Sequence, residues 1–113
     1  INLYEKKNEP KKALDTAASS LKLHKRNQIN YQIGKIAAEF NIEPDLGLAS
    51  LKHYIENHSV KDGVPVSWAH YRMAQIYKNR GDKTRAIHYI NLALTDKPDF
   101  EQALEEKERI SKL

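Results

Sequence analysis

Residues 67–100 read SWAHYRMAQIYKNRGDKTRAIHYINLALTDKPDF, and this stretch decides the fold. Ala69, Met73, Ala74, Ile76 and Tyr77 fall at i, i+4, i+5, i+7 and i+8, which stripes one face of a helix. Ala86, Ile87, Ile90, Ala93 and Leu94 draw the same stripe on a second helix. Small side chains at Ala74, Ala86 and Ala93 let the two helices approach closely, with Tyr77 and Ile90 filling the gaps beside them. Gly81 can take the positive φ that ends a helix, and Asp82 is a suitable N-cap for the next. Asp96-Lys97-Pro98 then resets the chain, with proline expected at the first position of a further helix. The stretch is a helical hairpin.

Taken from His70, the same residues run His70, Met73-Ala74, Tyr77, Ala86, Ile90 and Pro98, the first and last 28 residues apart. This resembles the tetratricopeptide repeat, whose 34-residue unit carries tryptophan, leucine-glycine and tyrosine, then alanine and phenylalanine, then proline. Met73, Ala74 and Ile90 are replacements in kind, whereas His70 in the tryptophan slot is a departure. Upstream, Ile33-Gly34 and Ala37 form a looser copy, with alanine where tyrosine is usual. Its partner helix opens at Glu43-Pro44-Asp45 and turns Gly47, Leu51, Tyr54 and Ile55 inward. Gly34 and Ala74 are 40 residues apart, so this copy is longer than the usual period. The extra residues fall at the 41–45 turn and in the 57–66 loop, where Asp62-Gly63 and Pro65 supply turn chemistry; an ordered connector is expected, with a contact-bearing functional loop the alternative.

The resemblance implies an all-α fold of about six to seven helices, antiparallel hairpins stacked as a right-handed superhelical solenoid. We divide the chain into a partial first repeat (1–26), a second repeat with a long loop (27–66), a third repeat (67–100) and a C-terminal capping helix (101–113). In the first part, Leu3 and Tyr4 resemble a helix end, and Asn8-Glu9-Pro10 a turn. Ala13-Leu14, Ala17, Ser20-Leu21 and Leu23 resemble a second helix. In the last, Phe100, Ala103, Leu104, Lys107, Ile110 and Leu113 form the inner stripe. Glu101, Glu105, Glu106, Glu108 and Arg109 form a solvated cap face. The chain opens at Ile1 rather than methionine, and we expect the C-terminal part of a longer repeat protein.

Hairpins of this kind bury their stripes by stacking. In the family, the first helix of each lines a groove that receives an extended peptide or a partner helix. The face beside the buried stripe carries Trp68, Tyr71, Gln75 and Lys78, with Arg72 and Asn79 at its margins. The looser copy offers Gln28, Tyr31, Lys35 and Ala38, flanked by Gln32 and Glu39. An aromatic wall of Tyr31 and Tyr71, with Lys35, Arg72 and Lys78 nearby, would suit a peptide carrying apolar side chains and a carboxylate. The lysine and asparagine clamp of chaperone-binding arrays is largely missing: Tyr31, Lys35 and Trp68 stand in its slots.

The composition excludes several chemistries. There is no cysteine, hence no disulfide or thiolate metal site. The five histidines form no i, i+4 ligand pair, and His70 reads as a packed, hydrogen-bonded core residue. The glycines build no phosphate loop. We therefore expect no cofactor, no metal and no catalysis. The net charge of +4, from 19 basic and 15 acidic residues, is dispersed in short clusters such as Lys25-Arg26. That argues against nucleic acid and leaves a mild preference for acidic partners. No stretch has the run of about 18–20 apolar residues a membrane span needs, and no membrane role is expected. The expected function is a protein-interaction module. Self-association through an open N-terminal end, or service as an accessory domain of a larger enzyme, are the alternatives. The sequence does not name a compartment.

Overall fold

A computed structural model describes residues 9–113. The expectations for Leu3, Tyr4 and Asn8 lie outside them. The described chain is all-helical: α1 (Pro10–His24), α2 (Asn27–Phe40), α3 (Pro44–Glu56), α4 (Val66–Asn79), α5 (Lys83–Asp96) and α6 (Glu101–Ser111), with a 3-10 turn at Val60–Asp62.

Local chemistry sets most boundaries. Pro10 and Pro44 open α1 and α3, where a missing N–H costs nothing. Lys25 and Asn41 end α1 and α2 in the left-handed region, at φ 53° and 52°, and their N–H groups return to Leu21 and Ala37 carbonyls. Gly81 takes φ 76° after α4, and Asp82 accepts the Arg85 N–H at 3.1 Å. One expected boundary moves. Pro98 is not helical; it lies in a turn closed by the Phe100 N–H on Lys97 O at 3.1 Å, and α6 starts at Glu101. Proline in that turn holds φ near its fixed value while Phe100 is delivered inward.

Consecutive helices pack on one another, most extensively α4 on α5 and α2 on α3. In addition α2 lies beside α4, α3 beside α4, and α4 touches α6. Gly34 and Gly47 set the α2–α3 crossing. A Cβ on Gly34 would stand 2.2 Å from Leu51 Cγ, and one on Gly47 2.5 Å from Ala37 Cβ. Each apolar patch joins three helices or two neighbours. Tyr31, Ala37, Leu51, Tyr54, Met73 and Ile76 unite α2, α3 and α4. Tyr71, Ala74, Ala86, Ile90, Phe100 and Ile110 unite α4, α5 and α6. Leu14, Ile33 and Ile36 hold α1 on α2.

The final helix departs from its expected pattern. Its buried positions are Phe100, Ala103, Glu106 and Ile110, while Leu104 and Leu113 are 49% and 52% exposed. The spacing 100, 103, 106, 110 follows one helical face, so position 106 points inward whatever its charge. Glu106 is therefore not part of a solvated cap; it is 1% exposed. Leu23 on α1 is likewise outside the core, at 79% exposure.

The long connector is ordered by specific bonds. Asp62 accepts from the Ser59 N–H at 2.9 Å and from the Asn27 amide at 3.1 Å. The Asn27 amide and that N–H, in this order, hold the Asp62 carboxyl below its ordinary pKa. The Tyr54 hydroxyl donates to Val64 O, and His58 Nε2 lies 2.9 Å from the same oxygen.

Candidate partner-binding groove

Because α4 runs between α2 and α6, the face it leaves uncovered becomes the floor of a groove. Trp68, Tyr71, Arg72, Gln75, Lys78 and Asn79 lie on that face and line a depression of about 570 Å³. Ala38, Glu39 and Phe40 of α2 bound it on one side and Gln102 of α6 on the other. Six of the eight expected residues thus meet in one place. Tyr31 and Lys35 do not line it.

Their environments differ from an open aromatic wall. Tyr31, Tyr71 and Arg72 are 5%, 7% and 8% exposed. The Tyr31 ring packs 5.7 Å from that of Tyr54, and its hydroxyl accepts from Arg72 Nε at 3.1 Å. Arg72 Nη1 donates to Gln75 Oε1 at 3.0 Å and to Glu39 Oε2 at 3.4 Å. The guanidinium also lies 5.1 Å from the Tyr71 ring centroid and 5.7 Å from that of Trp68. The Gln75 amide donates to the Tyr71 hydroxyl at 3.2 Å. Burial pushes the Tyr71 phenol pKa up, with the Arg72 charge opposing it. Tyr31 and Glu39 lie 41 and 33 residues from Arg72 in sequence, which is why the helix face alone could not reveal them.

Lys78 is also engaged. Its Nζ lies 2.7 Å from Glu106 Oε2, and Glu106 Oε1 accepts from Arg109 Nη1 at 2.9 Å. A carboxylate this deeply buried is tolerable only with such partners. Asn79 ties α4 to α2 by donating to Ala38 O at 3.0 Å. Trp68 is half-buried, its ring 4.5 Å from Phe100 and edge-on to Tyr71 at 5.6 Å.

The groove floor is therefore a closed polar network with its cations neutralised from within. The groups left to a ligand are amides: the Gln102 side chain, which makes no hydrogen bond among the described residues, the Asn79 carbonyl oxygen and the second amide hydrogen of half-buried Gln75, whose oxygen and first hydrogen already bond Arg72 and Tyr71. Paired amides of this kind can donate to and accept from an extended backbone, and Trp68 adds apolar surface beside them. The sequence does not single out Gln102, and Glu106 reads there as a solvated cap residue although it is buried. The one available signal was that Glu106 shares a helical face with Phe100, Ala103 and Ile110.

Among the described residues no group of three or more His, Asp or Glu side chains is placed to hold a metal, and no helix is long and apolar enough to cross a membrane. On the opposite side of α4, His70 lies in a second depression with Met73, Tyr77 and Tyr89. Its Nδ1 has no hydrogen-bond partner and stands 3.6 Å from Asp96 Oδ2. The residue is packed as expected but not hydrogen-bonded. A scan against protein-family models and searches of curated proteins and solved structures found no match.

Proposed function

We propose that this chain is a protein-interaction module of tetratricopeptide-repeat type, capturing an extended peptide or helix of a partner protein in the groove across α2, α4 and α6. In that reading α2–α3 and α4–α5 are successive repeat hairpins, α1 is the remnant of an earlier one, and α6 closes the stack. The observation that carries it is the convergence of six residues, read from one helix face, on a single open depression. Recognition rests on the amides of Gln75, Asn79 and Gln102 and on the apolar edge of Trp68. Arg72 and Lys78 act as structural members that hold the floor, because releasing either from its carboxylate would strand a buried charge.

The test is capture of partner proteins from an extract by wild type and by the double variant Gln75→Ala, Gln102→Ala, read by mass spectrometry. Each truncation of a central contact removes about 1 kcal/mol or more, so the pair weakens a true partner on the order of tenfold. A partner retained only by wild type supports the groove. Equal capture by both proteins would assign binding to another surface.

A further inference from the structure

The corner where α1 turns into α2 carries Lys22, Lys25 and Arg26, and none of the three forms an ion pair among the described residues. Lys35, Lys52, Lys83, Lys107 and Lys112 are likewise without an ion pair among the described residues, but only at this corner do three such cations fall within five residues. Lys11, Arg80, Arg85 and Lys97 are each within 4 Å of a carboxylate. The bond from the Asn27 amide to Asp62, at 3.1 Å, draws the 3-10 turn of the long connector against the start of α2. It adds Lys61 to the corner while the Asp62 carboxylate is occupied by Asn27 and the Ser59 N–H.

Two apolar side chains stand out at the same corner, Leu23 at 79% and Val60 at 94% exposure. They are the most exposed of the large apolar residues in the described chain. A depression of about 510 Å³ opens there, lined by Leu21, Lys25, Asn27, Asn30, His53 and Asn57. It combines an aliphatic wall, a cation and a row of amide and imidazole groups. Val60 and Lys61 do not line the depression; the Asn27–Asp62 bond holds their turn against the start of α2 beside it.

We propose that this corner is a second docking site, taking an acidic peptide segment that carries a bulky apolar residue among its carboxylates. Unpaired cations complement the carboxylates, and the depression and the two aliphatic side chains receive the apolar residue. A lipid surface fits less well, because much of the corner is a concave, amide-lined recess. Nucleic acid fits less well too, because Leu23 and Val60 offer bases no aromatic face to stack on. The site lies at the opposite end of α2 from the groove: Asn27 and Ala38 are separated by roughly 16 Å of helix rise. One partner bridging both sites would gain from the local concentration its linker sets.

The experiment titrates a fluorescein-labelled peptide, Glu-Glu-Asp-Phe-Glu-Glu, into the whole chain and follows anisotropy. Saturable binding is expected. The variant Arg26→Glu, Lys61→Glu should weaken it on the order of tenfold, since each reversal removes an attraction and adds a repulsion. Leu23→Ser with Val60→Ser should weaken it several-fold, and Gln75→Ala with Gln102→Ala should leave it unchanged. All four corner residues are exposed, so circular dichroism should match wild type; the neutral variant Lys22→Gln, Arg26→Gln serves if the reversal perturbs folding. Absent binding, or equal affinity in the charge variants, overturns the proposal. So does loss on the groove variant alone. Corner-dependent binding of mixed phosphatidylserine and phosphatidylcholine vesicles, or of poly(U), without peptide binding would reassign the corner to lipid or to nucleic acid.

Discussion

The most consequential single residue is Glu106. It is 1% exposed, and its two oxygens face Lys78 at 2.7 Å and Arg109 at 2.9 Å. Glu106→Ala leaves Lys78 without a counter-charge, while Arg109 keeps Glu105 at 4.0 Å, and a loss of about 3 kcal/mol is expected by urea unfolding, the low end of the buried-pair range because Lys78 retains some exposure. Replacing both Glu106 and Lys78 by leucine should recover most of that loss. For the same reason Arg72→Glu with Lys78→Glu would unfold the chain instead of merely blocking the groove, and a circular dichroism melt would show it. His70 makes the fold sensitive to acid. Burial, the main cause, holds its pKa below the ordinary 6.5, with the nearby Asp96 carboxylate opposing. The unfolded chain therefore binds that proton more readily, so the contribution is complete above about pH 6.5 and is lost as pH falls toward the lower native value. His70→Gln should flatten the dependence of stability on pH just below about 6.5; an unchanged slope would place its origin elsewhere.

At the scale of elements, the crossing of α2 and α3 depends on Gly34. Leu51 carbons lie 2.2–2.7 Å from where a Cβ would stand, so Gly34→Ala forces a fully buried leucine to move. Overpacking of this sort costs about 1–3 kcal/mol. Leu51→Ala alone should cost about 2–5 kcal/mol, and the double variant should cost less than the sum, because the added methyl enters the space the leucine vacates. Chemical denaturation of the four proteins measures that coupling. The helices themselves were legible in the sequence, because Ala69–Tyr77 and Ala86–Leu94 repeat at the helical period and Gly81-Asp82 punctuates them. The side of α4 that lines the groove was legible for the same reason. What the period could not reveal was how much of that face neighbours would cover. Arg72 meets Tyr31 across 41 residues, and Glu106 carries a charge that reads as surface until Lys78 and Arg109 are placed beside it. Pro98 was misplaced because a proline suits a helix start and a turn equally; only Phe100 entering the core decides between them.

At the scale of the molecule, the six short helices of the described residues bury their stripes only by sharing them. The described chain measures 38 × 32 × 22 Å, with every apolar patch spanning more than one helix. Packing α2, α4 and α6 in that way leaves a shallow trough whose floor is saturated internally and whose rim presents amides. A floor already satisfied should not rearrange on binding, so the far-ultraviolet spectrum should be the same with and without partner. The most direct test of groove capture places a photo-reactive amino acid at Gln102, on the rim, or at Asn91, exposed on α5 away from it. Irradiation in a cell extract should attach a partner protein at position 102 and leave position 91 unlabelled. A partner attached at 91 and not at 102 would contradict the groove as the binding surface.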